Sequence, residues 1–169
     1  MRGTSIFALA MLASVPASAE SPITDSERAA LDEAEVRLGV NAFFAALRSE
    51  DKTALARTMI PEAVIFVHDR RDPENPITIV RPVSEHLENW ERTPPGTDEY
   101  MTYESVLIDG SMAHVWGPYI FLIDGKPTHC GINSMSLNKT PDGWRVSNTS
   151  FTVTSLHECD KLGAPEVPE

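Results

Sequence analysis

Ala113 to Val146 reads AHVWGPYIFLIDGKPTHCGINSMSLNKTPDGWRV. Blocks rich in apolar, aromatic and β-branched residues are broken by Asp124-Gly125 and by Pro141-Asp142-Gly143. Such dipeptides favour the positive-φ turns of tight hairpins. The stretch therefore predicts three consecutive antiparallel strands, over 112–123, 128–138 and 144–154. Asp109-Gly110 is a further hairpin signal, and it adds a strand over 100–108 to the same meander.

Upstream of the meander the pattern is helical. Thr24-Asp25-Ser26-Glu27 has the spacing of a capping box. Val36, Val40, Phe43, Phe44 and Leu47 follow at intervals of three and four, except for the adjacent pair, and outline one face of a helix of about twenty residues. Asp51 is placed to cap a short second helix over 53–59, ended by Pro61. Two short strands, 64–68 and 77–80, flank the turn Asp72-Pro73-Glu74-Asn75-Pro76. Ser84 is placed to cap a third helix reaching Trp90, and Thr93-Pro94-Pro95-Gly96 reads as a loop. Helices followed by a strand meander predict an α+β domain, with a curved antiparallel sheet wrapped around the long N-terminal helix.

Residues 1–19 carry a positive start at Arg2, an apolar run from Ile6 to Val15, and Ala17-Ser18-Ala19 as a cleavage signature. This is the pattern of a secretory signal peptide, and it predicts export with cleavage near Ala19-Glu20. The folded domain then spans 20–159, followed by a loose acidic, proline-rich tail over 160–169. The formal charge is −11, and it becomes more negative when Arg2 is removed. An acidic chain of this kind repels phosphate backbones and anionic lipid, so neither nucleic acid nor membrane is expected as a partner. The two cysteines, Cys130 and Cys159, form one disulfide in an exported protein, the alternative being two separate thiols.

Three segments carry a family resemblance: AFFAALRSEDKTALARTM (42–59), DGSMAHVWGPYIFLIDGKPTHCG (109–131) and DGWRV (142–146), together with the late Cys159. They resemble the nuclear-transport-factor-two-like, or cystatin-like, superfamily. More narrowly they are similar to small exported bacterial members that carry a lumazine-binding label. The resemblance covers about 36–159. It implies an α+β cone with a pocket, and a homodimer. The superfamily includes isomerases, dehydratases, transport factors and proteins without known activity, so the fold does not name a reaction.

Strand parity supplies candidate residues. In 112–123 one face holds Ala113, Val115, Gly117, Tyr119 and Phe121, and the other holds His114, Trp116, Pro118, Ile120 and Leu122. The first face suits the concave side. Trp116, Ile120 and Leu122 would then form an apolar convex patch, read as a dimer face, with burial by the C-terminal tail as the alternative. Parity in the neighbouring strands gives a pocket with Val106, Val115, Phe121, Met135 and Val146 as its floor. Glu104, Tyr119, His129, Asn133 and Asn148 form its polar walls.

An apolar cavity with a few convergent polar groups suits a small, partly apolar ligand. The expected ligand-binding residues are Tyr119, His129, Asn133, Glu104, Phe121 and Asn148. One function class is therefore a non-catalytic binding protein. A second is an isomerase- or dehydratase-like enzyme with Glu104 or His129 as base and Tyr119 as oxyanion donor. A third is an interaction module that uses the convex face. The five histidines are scattered without ligand spacing, so no metal is expected, and no motif points to a cofactor.

Overall fold

Thr24 opens the first helix with a reciprocal capping box. Its hydroxyl accepts from the Glu27 amide, and the Glu27 carboxylate accepts from the Thr24 amide. Helix α1 then runs Asp25–Arg48. The computed structural model describes residues 23–167, so the expected signal peptide lies outside the described residues. A 3₁₀ turn over Lys52–Arg57 follows α1, with the Asp51 carboxylate accepting from the Thr53 amide.

The remaining elements are β1 (Val64–Asp69), β2 (Ile77–Pro82), α2 (Val83–Trp90), β3 (Thr97–Met101), β4 (Ser105–Asp109), β5 (Met112–Ile123), β6 (Lys126–Thr140), β7 (Gly143–Val153) and a short α3 (Cys159–Leu162). Helix α2 starts at Val83 with Pro82 at the N-cap and no side-chain cap, so its cap lies two residues before the expected Ser84. The sheet order is β2-β1-β7-β6-β5-β3, with β4 also paired to β5. The expected antiparallel sheet is in fact mixed, because β1 lies parallel to β7. The excursion through β2, α2 and the strands from β3 to β6 is long enough to allow that parallel return.

Helix α1 packs in the concavity of this sheet. Val36, Val40, Phe43, Phe44 and Leu47 are buried against Ala113, Val115, Met135, Leu137, Trp144 and Val146. Of the five expected floor residues, Val115, Met135 and Val146 are buried in this packed core, and Val106 and Phe121 are partly buried against it.

Three local irregularities decide which side chains face inward. First, the expected single strand over 100–108 is split into β3 and β4. The chain steps out at 102–104, where the Thr102 and Glu104 amides donate to the Pro118 and Trp116 carbonyls. Gly117 faces the step, and a Cβ there would come within 1.8 Å of the Thr102 carbonyl oxygen. Second, the β6–β7 register shifts between Ser136 and Leu137, leaving Ser147 as an extra residue in β7. Such a bulge reverses the alternation beyond it. Third, Gly131 lets β7 approach closely, since a Cβ there would lie 1.8 Å from the Thr152 carbonyl oxygen. Gly131→Ala is expected to cost about 1–3 kcal/mol, as overpacking does. Urea midpoints of wild type and variant check it, and equal midpoints would show that the strands part at no cost.

The convex face differs from the expected patch. Trp116 is 42% exposed, but Ile120 and Leu122 are 8% and 1% exposed. Ile120 stands opposite Cys130, which is bonded to Cys159. The disulfide brings α3 onto the sheet, and Gly163 follows α3 over Pro118. Ile120 and Leu122 are therefore core residues, and only Trp116 of the three expected dimer-face residues is exposed.

Candidate functional site

The inward residues of six strands, with α1 and α2, enclose a cavity of about 320 Å³. Its apolar walls are Phe43 and Leu47 of α1, Ile65 and Val67 of β1, Trp90 of α2, and Phe151 and Val153 of β7, among others. Arg71 is exposed, while Ile79, His86, Phe121 and His129 are half-buried, so these five mark its rim.

Register explains the polar set. Glu99 of β3 stands opposite Phe121 of β5, and Phe121 stands opposite His129 of β6. Met101, Tyr119 and Gly131 form the next row. Asn133 lies one inward position further along β6, and its amide Nδ2 donates to Glu99 Oε1 at 2.6 Å. Glu99 is only 8% exposed, and Asn133 is buried with it. Burial opposes the negative charge and holds the Glu99 carboxyl at about 8; Asp98 pushes in the same direction, and the Asn133 hydrogen bond acts against them. Glu99 is therefore mostly uncharged at neutral pH.

The two histidines at the rim are also uncharged at neutral pH. Burial lowers His129 to about 4, helped by Arg71 and opposed by Asp69. His129 stacks on Phe121 with ring centroids 5.0 Å apart, and its Nδ1 lies 3.0 Å from the Thr128 hydroxyl. Burial likewise lowers His86 to about 4, with Arg81 adding to the effect. At the mouth the Arg71 guanidinium binds the Asp69 carboxylate and holds it at about 2. The charges at that position therefore cancel.

Four of the sequence-derived residues, Tyr119, Phe121, His129 and Asn133, line this one cavity. Two do not. Glu104 lies exposed at the step between β3 and β4. Asn148 is displaced by the β7 bulge, and Thr149, Phe151 and Val153 face the cavity from that strand. The acid/base pair of Glu104 and His129 therefore does not exist in one cavity. Tyr119 is also tied up. Its hydroxyl donates to the Thr152 carbonyl at 2.8 Å, so it is not a free oxyanion donor. The carboxyl buried in the cavity is Glu99, which strand parity counted from residue 100 leaves out. The signal for it is the alternation Thr97, Glu99, Met101 directly after the Pro94-Pro95-Gly96 loop.

No protein-family model matches the chain, and no curated protein sequence matches it. Solved structures do match its fold. A protein of unknown function from Shewanella baltica, named NTF2-like, is 14% identical with a TM-score of 0.55, over 73% of this chain and 94% of that one. A Nostoc punctiforme protein of unknown function, described as having a cystatin-like fold, is 12% identical with a TM-score of 0.55, over 73% and 92%. A Novosphingobium aromaticivorans protein carries the provisional name of an aromatic-ring-hydroxylating dioxygenase beta subunit. It is 10% identical with a TM-score of 0.62, over 77% and 94%. The chain thus has the NTF2-like, or cystatin-like, fold. At these identities the likeness describes shape and carries no activity with it.

Proposed function

We propose that this chain is an exported protein that binds a small, largely apolar molecule in the cavity between α1, α2 and the sheet. The observation that carries the proposal is the composition of the cavity wall. Phe43, Trp90, Tyr119, Phe121 and Phe151 surround a void of about 320 Å³, with one carboxyl–amide pair, Glu99 and Asn133, set among them. Apolar walls with a few fixed polar groups suit a small ligand. A disulfide between Cys130 and Cys159 fits an oxidising compartment. No helix among the described residues is long and apolar enough to cross a membrane.

Thermal denaturation with a library of flat aromatic compounds tests the proposal. A ligand at a hundred times its dissociation constant adds about 2.7 kcal/mol. For a domain of this size that raises the midpoint by roughly 5–10 °C. Val67 is half-buried in the cavity wall, and Val67→Trp fills the void from β1. The shift is expected in the wild type and absent in this variant. A flat response across the library, or an equal shift in Val67→Trp, would remove the cavity as the binding site.

A further inference from the structure

We infer that Glu99 acts in this pocket as a proton-bearing hydrogen-bond donor, and that the cavity selects an uncharged molecule with a carbonyl-type oxygen at its buried end. The inference rests on the binding role proposed above and names the ligand class for it.

The geometry of the Glu99–Asn133 pair comes first. An amide N–H donates to Oε1, so that oxygen takes the acceptor role of a carboxylic acid. In the protonated carboxyl the proton therefore sits on Oε2. Among the described residues no hydrogen bond reaches Oε2, although the side chain is more than nine-tenths buried and lines the cavity. Oε2 is not sealed off from the cavity, and a ligand oxygen placed against it gains a hydrogen bond in an apolar surround, worth about 0.5–1.5 kcal/mol net.

No cation is available to hold Glu99 as a carboxylate. Arg71, beyond the end of β1, is bound to Asp69. Arg48 at the end of α1 is bound to Asp98, and it touches Glu99 only at its main-chain carbonyl. Lys52 donates to the Leu47 carbonyl and the Thr97 hydroxyl. The other titratable groups around the cavity are Tyr119 of β5, His129 of β6 and His86 of α2. Burial keeps all three uncharged at neutral pH.

The same arrangement disfavours charged ligands. An anion meets no free cation. An organic cation would have to ionise Glu99 and lie beside Trp90, and Lys52 Nζ already sits 5.1 Å from the centre of that ring. A neutral oxygen needs neither charge, and it has the aromatic walls for its hydrocarbon part.

Four probes of one shape test the inference: a naphthyl methyl ketone, the matching naphthyl alkene, a naphthyl carboxylate and a naphthylethyl ammonium. Their binding to the full chain is measured at about pH 6 and about pH 9, on either side of the Glu99 value of about 8. The ketone is expected to bind about tenfold tighter than the alkene at the lower pH, the worth of one good hydrogen bond. That advantage should shrink to less than about threefold at the higher pH, where ionised Glu99 offers no donor.

Two variants separate donor from proton. Glu99→Gln keeps an N–H facing the cavity, so the ketone preference should persist at both pH values. Glu99→Leu should lose it at both. Equal binding of ketone and alkene at the lower pH would overturn the donor role while leaving the pocket intact. So would ammonium binding that is tightest of the four and strengthens toward pH 9. Failure of all four probes to bind would overturn the binding role itself.

Discussion

Glu99→Gln is expected to be more stable than the wild type at about pH 9 by up to about 5 kcal/mol, and close to it in stability at about pH 4. The Glu99 carboxyl stands at about 8 in the folded chain against an ordinary 4.5. Below 4.5 it is protonated in both the folded and the unfolded state and contributes nothing to pH dependence. Between the two values the unfolded chain has released the proton and the folded chain has kept it. Stability then falls as pH rises, by up to about 1.4 kcal/mol per pH unit. Above about 8 both states are ionised and the loss is complete. The ceiling of about 5 kcal/mol is that slope taken over the interval, and water entering the half-open cavity lowers it. Gln carries no proton to lose, and its carbonyl still accepts from Asn133.

The other perturbed groups act at the acid end of this range and below it. His86 and His129 are lowered from 6.5 to about 4, so their contribution is lost as pH falls below 6.5. Asp69, lowered from 3.8 to about 2, loses its contribution as pH falls through that lower range. Both effects are common to wild type and variant and cancel in the difference. The difference in denaturant midpoint between the two proteins, followed across about pH 5 to about pH 9, gives the result, because only Glu99 differs between them and above 6.5 the two histidines no longer contribute. Curves that run parallel over that interval would show that Glu99 is not held protonated by the fold.

The elements of the fold were legible because each carried its own local signal. Thr24 and Glu27 closed the capping box that their spacing announces. The turns at Asp124-Gly125 and near Gly143 separate β5, β6 and β7, and β5 begins and ends where its sequence predicts. The parallel pairing of β1 with β7 has no local signal, since it depends on where a long excursion returns.

The site was only half legible, because parity is reliable only within an uninterrupted strand. The inward columns of β5 and β6 place Tyr119, Phe121, His129 and Asn133 correctly on one cavity. The step at 102–104 moves Glu104 to the surface, and the Ser147 bulge does the same kind of damage to the count through Asn148. Both irregularities are features of how one strand pairs with the next, which a single strand's sequence does not show. Glu99 was missed because the Pro-Pro-Gly loop ends sooner than expected and β3 already starts at Thr97. The covering of Ile120 was within reach of the sequence. Cys130 stands opposite Ile120 on the same face, so any bond from Cys130 to the tail must bring the tail over that residue.

Replacing both cysteines with Ser, Cys130→Ser with Cys159→Ser, is expected to destabilise the protein by about 3.5 kcal/mol and to uncover an apolar strip on the convex face. The bond closes a loop of 29 residues in sequence separation. The chain-entropy argument gives about 3.5 kcal/mol for a loop of this length, because the cross-link removes conformations from the unfolded chain. A second consequence follows from what the tail covers. Besides the disulfide, the Ala164 and Gly163 amides close α3 by donating to the Cys159 and Asp160 carbonyls, and Thr154 and Cys130 exchange main-chain hydrogen bonds. The four-residue α3 is too short to persist without tertiary contact. Once the bond is gone, its remaining hold on the sheet is packing such as that of Gly163 over Pro118, beside the buried Ile120. The double variant should therefore bind a hydrophobic dye more strongly than the wild type while still folded, and unfold at lower denaturant. A drop in the denaturant midpoint without added dye binding would mean that the tail stays docked by packing, and that the bond acts on the unfolded chain alone. No change in midpoint would contradict the cross-link's contribution altogether.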